Sequence, residues 1–117
     1  MHHLSLFYIN HNRRGIAPAI AEAPIYFYDL TVVLEGRLDY LINGKPISLS
    51  AGDAVLIGKG SLRKRAASTE RVDYISFNFH TQSPPPLPQV MHGAVQNETK
   101  LMIAACDEIT KRYPLHK

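Results

Sequence analysis

Residues 32–57 read VVLEGRLDYLINGKPISLSAGDAVLI, and their turn spacing is the strongest indicator of the fold. Gly36, Gly44 and Gly52 lie eight residues apart and divide the stretch into short apolar runs. Short strands joined by tight turns at this spacing are typical of an all-β sandwich or barrel. Asn43-Gly44 predicts a two-residue hairpin, because both central positions of such a turn adopt positive φ. The stretch therefore predicts consecutive antiparallel strands.

Strand patterns continue on both sides of this stretch. Residues 26–35 are rich in β-branched and aromatic side chains, and residues 72–79 alternate Tyr74, Phe77 and Phe79 with polar neighbours. We therefore expect β-structure throughout residues 25–79. Upstream, only residues 5–9 have a strand pattern. Residues 10–24, with prolines at 18 and 24, predict an irregular loop, because proline interrupts the hydrogen-bond ladder of a sheet.

The pattern changes at residue 83. The prolines of Ser83–Pro88 favour a polyproline II spacer, so we expect the barrel to occupy residues 1–82 and a proline-rich linker to occupy residues 83–96. Residues 97–117 predict a helix that begins at Asn97, a favourable N-cap residue. Its apolar positions repeat at helical spacing: Leu101, Met102, Ala105, Ile109 and Tyr113. This stripe either packs on the barrel or forms a dimer interface.

Composition limits the class of protein. A chain of 117 residues with 45% hydrophobic and 20% charged residues predicts one soluble globular domain. The net charge of +3 permits an anionic partner without requiring one. Cys106 is the one cysteine, so no internal disulfide forms, and no apolar run is long enough for a membrane span. We expect a cytoplasmic protein with no membrane partner.

The segments VVLEGRLDYLINGKPISLSAGDAVLIGKG (32–60) and VDYISFNF (72–79) resemble the cupin-like sensory domain of AraC-type transcription regulators. The resemblance implies a double-stranded β-helix, or jelly-roll barrel, followed by a C-terminal helix. It implies an effector-binding and dimerisation module that forms a homodimer and responds to a small molecule. DNA would be contacted only through a helix-turn-helix domain, which this chain does not contain.

The same resemblance places the metal ligands of metal-dependent cupins. Two histidine positions fall near Ala23 and Ile25, the glutamate position falls at Asp29, and the last histidine position falls at Arg63. Aliphatic side chains cannot ligate, and a guanidinium has no lone pair to donate. Asp29 alone does not make a transition-metal site. We therefore predict no metal and no other cofactor.

A different site is predicted from the same strands. Alternate side chains of a strand share one face, so Thr31 points into the barrel with Asp29 if the resemblance holds. Arg63 and Arg65 share a face of their own strand, and Lys64 lies opposite. Arginine binds carboxylate or phosphate through paired hydrogen bonds. We expect these four residues to bind a small polar effector such as a sugar or a carboxylate.

Two alternatives stay open at this point. Asp29 and the arginines either neutralise one another or form the ligand site, and the arginines either point inward or lie in solvent. The chain is either a sensory domain or a free-standing, metal-independent cupin enzyme of the sugar isomerase or epimerase type. No catalytic set can be assembled from its residues with any specificity, and the predicted C-terminal helix favours the sensory domain.

Overall fold

The computed structural model describes residues 4–84 and 86–93 as two antiparallel β-sheets packed face to face. The strands of this part are β1 (Leu4–Ile16), β2 (Ile20–Pro24), β3 (Tyr28–Glu35), β4 (Arg37–Ile42), β5 (Lys45–Ser50), β6 (Ala54–Ile57), β7 (Leu62–Arg65), β8 (Arg71–Thr81) and β9 (Val90–Met91). One sheet has the order β1-β8-β3-β6-β9 and the other has the order β2-β7-β4-β5. The chain crosses repeatedly between the sheets, so the expected jelly-roll barrel is present.

The main hydrophobic core lies between the two sheets. Val33 and Val72 come from the five-stranded sheet, Leu38 and Leu49 come from the four-stranded sheet, and all four are at most 1% exposed. A second apolar cluster uses the other face of the five-stranded sheet. It consists of Leu30, Val32, Ala54, Leu56, Ile75, Phe77 and Phe79. β3 and β8 therefore bury side chains on both of their faces.

The predicted hairpin turn is confirmed. Ile42 pairs with Lys45, and the two residues between them have φ values of 51° at Asn43 and 79° at Gly44. Positive φ at both positions defines the turn type whose twist matches that of the flanking strands. The Asn43 side chain also accepts a hydrogen bond from the backbone N–H of Leu62 at 2.9 Å, which ties this hairpin to β7.

The prediction of an irregular loop over residues 10–24 is wrong. β1 continues to Ile16 along β8, and β2 pairs with β7. Two features explain why the second half of β1 has no clear strand pattern. Its inward residues are polar, and its pairing with β8 is interrupted by a shift of register between Asn12 and Gly15. Arg14 adopts a positive φ of 54° there, and the Asn12 amide donates to the carbonyls of Gly15 and Val72. Pairing with β8 thus outweighs the weak local propensity.

The sheet also extends past residue 82. β9 lies within the interval predicted as a linker and pairs with β6, where Ala54 faces Met91. No strand is present in the described residues between 82 and 89, in keeping with the proline-rich sequence. The predicted helix of residues 97–117 lies outside the described residues. Over residues 4–84 and 86–93, no helix has the length and apolar character needed to cross a membrane.

Candidate ligand-binding site

A cavity of about 220 Å³ lies at one end of the barrel, between the two sheets. β3 and β8 supply Asp29 and Asn78 from one sheet, and β7 supplies Arg63 and Arg65 from the other. Tyr8 and Asn10 of β1 also line the cavity. Three of the four predicted site residues therefore line one cavity.

Asp29 and Arg63 form an ion pair in this cavity. Arg63 Nη1 donates to Asp29 Oδ2 at 2.8 Å, and the Asp29 residue is only 3% exposed. Thr31, the fourth predicted residue, contacts Asp29 instead of lining the cavity: its hydroxyl donates to Asp29 Oδ1 at 2.9 Å and lies 2.7 Å from Ser76 Oγ. Burial raises the pKa of the Asp29 carboxyl above its usual range, although Arg63 and Thr31 act to lower it.

Arg65 is buried without an acidic partner. It is 4% exposed, and its Nη2 donates to the carbonyl of Pro18 at 2.9 Å and to the Tyr74 hydroxyl at 3.1 Å. The guanidinium lies over the Tyr74 ring, 4.9 Å from its centroid, which adds a cation–π contact. No ion pair joins Arg65 to a carboxylate within the described part of the chain. The cavity wall therefore carries two guanidinium groups and one carboxyl group.

Two buried polar atoms of the wall have no hydrogen-bond partner among the described residues: Arg63 Nε and Asn78 Oδ1. Leaving a buried donor or acceptor unpaired costs about 1–3 kcal/mol. Arg63 also lies against the ring of Phe27, with its guanidinium carbon 5.6 Å from the ring centroid. The site thus has a fixed arginine with hydrogen-bonding capacity left over.

The sequence analysis identified the strands that supply Asp29, Arg63 and Arg65 to the cavity, but it missed other residues that line it. Tyr74, Ser76 and Asn78 alternate along β8 on the face that meets Asp29, and this alternation was available from the sequence. Asn10 was missed because it lies just beyond the strand predicted over residues 5–9, and Tyr8 lies within that strand but was not assigned to a face of the barrel. The alternative in which Asp29 and the arginines neutralise one another holds for Arg63, and the alternative that places the arginines in solvent is wrong for Arg65.

The residues at the metal-ligand positions do not fit a transition metal. Ile25 is packed in the core, and Ala23 pairs with Arg63 across β2 and β7. Arg63 donates a hydrogen bond to one carboxylate oxygen of Asp29, so that oxygen is already in use. Nitrogen, oxygen or sulfur donors from several residues are needed for such an ion. Within residues 4–84 and 86–93, no group of three or more His, Cys, Asp or Glu side chains is placed to hold one.

Comparison with protein families gives one match, to the family described as ethanolamine utilisation protein EutQ, over residues 22–83. This interval is 62 of the 117 residues and contains all four predicted site residues. The chain belongs to the EutQ family. No curated protein matches the sequence. The EutQ-family match and the jelly-roll topology together make residues 4–84 and 86–93 a cupin domain of EutQ type.

The chain is similar to several solved structures, of which the first below supports the fold. The Escherichia coli protein YhaK matches with a TM-score of 0.54 and 18% identity, covering 75% of this chain and 41% of its own. The EutQ protein from Salmonella typhimurium has a TM-score of 0.47 and 22% identity over 55% of this chain, and this chain spans 50% of it. The EutQ protein of Clostridium difficile has a TM-score of 0.48 and 16% identity, with 68% of each chain covered. Membership of the AraC-type regulators stays a prediction.

Proposed function

We propose that this EutQ-type cupin domain binds a small anion, such as a carboxylate or a sugar acid, in the barrel cavity. The observation that carries the proposal is the excess of positive charge in the cavity wall. Asp29 offsets only one of the two guanidinium groups of Arg63 and Arg65. Charge–charge interactions are stronger in a partly buried site than in water, so an anionic ligand is stabilised there.

The family description names ethanolamine, whose amine is protonated at neutral pH. A cation placed in this cavity meets two guanidinium groups and one carboxyl group that is already paired. Like charges in a site of low dielectric repel. The charge of the wall therefore favours an anion over ethanolamine itself.

We further propose a sensory role for this binding, as the resemblance of residues 32–60 to AraC-type sensory domains predicts. A ligand changes the conformation or assembly of a protein only when it binds one state more tightly than another. In this proposal the domain forms a homodimer, and DNA is contacted through a separate helix-turn-helix domain. The cavity between the two sheets supports the ligand-binding part of the proposal.

A metal-independent enzyme is the second candidate function, and Asp29 is the observation in its favour. The raised pKa brings proton exchange by this carboxyl closer to neutral pH, as general acid–base catalysis requires. Following a bound carboxylate or sugar acid by NMR separates the two candidates. A ligand that is recovered unchanged supports the binding module, and conversion to an isomer or epimer supports the enzyme.

The binding test compares small carboxylates and sugar acids with their neutral amides and with ethanolamine, by calorimetric titration and thermal melting of the full chain. We expect the acids to raise the melting temperature, because a ligand that binds only the folded state stabilises it. Arg63→Gln should weaken binding at least about tenfold. Lys64→Gln is the matched control, since Lys64 is an exposed cation on the same strand, and should change affinity less than about twofold.

Removing Arg63 alone leaves Asp29 buried without its partner, which destabilises the fold. The double variant Asp29→Asn/Arg63→Gln removes both charges and keeps the test valid if the single variant does not fold. The proposal is wrong if no acid binds the unaltered chain, or if the folded variants bind the acids as tightly as the unaltered chain.

A further inference from the structure

The cavity has one unused edge of a guanidinium group. Of the three nitrogens of Arg63, only Nη1 has a hydrogen-bond partner among the described residues, and that partner is Asp29. Nε is buried and unpaired. The Nε–Nη2 edge is one that can donate two parallel hydrogen bonds to a carboxylate. The ion pair with Asp29 holds the opposite side of the group. Because Nε is buried in this structure, a carboxylate reaches both nitrogens of this edge only when the wall around Arg63 opens slightly.

Asn78 supplies a second unused group in the same cavity. It lies on β8 directly opposite Asp29 of β3, and its Oδ1 is buried without a partner among the described residues. No other side chain of the described residues bonds to its amide, unlike the neighbouring inward residues Tyr74 and Ser76, which are paired. A ligand hydroxyl can donate to the amide oxygen or accept from the amide nitrogen, so it satisfies this side chain in either orientation.

The size of the cavity favours a small ligand. A volume of about 220 Å³ corresponds to about seven water molecules at ~30 Å³ each. It falls below the range of about 300–1,000 Å³ found for pockets that enclose drug-sized ligands. A carboxylic acid of about three or four carbons fills such a space. Larger sugar acids would extend out of it.

We propose that the ligand is a small hydroxy acid, whose carboxylate binds the Nε–Nη2 edge of Arg63 and whose hydroxyl bonds to the Asn78 amide. This inference rests on the proposed function and adds the chemical class of the anion. A site with a buried amide discriminates against an acid that lacks the hydroxyl, because the amide is then left unpaired. Asn78 is therefore the specificity-determining residue.

The test uses acids that differ by one hydroxyl group: lactate and glycerate are compared with propionate by calorimetric titration of the full chain. We expect the hydroxy acids to bind at least about fivefold more tightly than propionate. In Asn78→Leu this preference should fall to within about twofold, while propionate binds as it does to the unaltered chain. Gln82→Leu is the control, since Gln82 is an exposed amide just after β8, and should keep the preference.

The outcomes separate this inference from the function on which it rests. If propionate binds as tightly as lactate and glycerate, and Arg63→Gln abolishes the binding of all three acids, the anion site stands and the hydroxy-acid inference is wrong. It is also wrong if Asn78→Leu keeps the preference. If none of the three acids binds but a larger carboxylate or sugar acid does, the anion site stands and the hydroxy-acid inference is wrong; if no acid binds at all, both proposals fail. Even if Asn78→Leu does not fold, comparing the acids on the unaltered chain shows whether the site prefers hydroxy acids to propionate.

Discussion

At the scale of single residues, the chemistry of the cavity depends on Arg63, an arginine at a position where the resemblance places a histidine ligand. Asp29 and Arg63 stand where the resemblance places metal ligands, and they bind each other at 2.8 Å. A guanidinium at such a position removes a metal ligand and supplies a fixed hydrogen-bond donor. The same backbone positions therefore hold an ion pair in place of metal ligands.

Asp53 gives a prediction about acid stability. It is 9% exposed and accepts the backbone N–H groups of Ser50 at 2.9 Å and Gly93 at 3.0 Å. Burial acts to raise the pKa of Asp53, but these bonds and His92 outweigh it, so the pKa lies below its usual value. The stabilisation is therefore complete above the unfolded pKa, about 3.9, and is lost as pH falls through the folded pKa.

We expect Asp53→Asn to lower the free energy of unfolding at neutral pH by about 1–2 kcal/mol, and to reduce the loss of stability between neutral pH and pH 3. Urea unfolding across this range measures both effects. Glu22→Gln, at an exposed position of β2, is the control and should change stability by less than about 0.5 kcal/mol. Equal stability of Asp53→Asn and the unaltered chain at neutral pH would contradict the prediction.

At the scale of elements, the turns fix the register of the strands. The hairpin of β4 and β5 brings Arg37 opposite Ser50 and Ile42 opposite Lys45 in an unbroken ladder. β4 then aligns β7, so that Tyr40 faces Arg65 and Ile42 faces Arg63. A slip of one residue would turn both arginines away from the cavity. The turn at Asn43-Gly44 thus helps to build a site that it does not contact.

Gly44→Val tests this turn. Gly44 has a φ of +79°, and no atom lies within 4 Å of the position that a Cβ would take. The expected loss of about 1 kcal/mol or more in the free energy of unfolding therefore comes from backbone strain and not from a clash. Gly44→Asn is the matched control and should cost less, because asparagine tolerates positive φ. An unchanged urea midpoint for Gly44→Val would refute the interpretation.

At the scale of the whole molecule, the cavity belongs to neither sheet alone. β1, β3 and β8 supply Asn10, Asp29 and Asn78, and β7 of the other sheet supplies Arg63 and Arg65. The charged groups face one another across the space between the sheets, at one end of the apolar core. Closing the barrel is therefore the step that assembles the site.

The assembled barrel predicts the metal content of the protein. The charged groups of the cavity are cationic or already paired, so they should not retain a divalent transition metal through purification. We expect elemental analysis of the untagged protein to find far less than one transition-metal ion per chain. Zinc, iron, manganese or nickel at close to one per chain would contradict the prediction.

The sequence alone predicts β-structure over residues 25–79, where the structure has β3 to β8, and the hairpin at Asn43-Gly44, because alternation and turn chemistry are local properties. It also places Asp29, Thr31, Arg63 and Arg65 on the right strands. The folded structure was needed to show that Arg63 pairs with Asp29, 34 residues away, and that Arg65 is held by the carbonyl of Pro18. It also added most of β1, all of β2 and β9 to the sheets. These features depend on partners distant in sequence, and no local pattern specifies them.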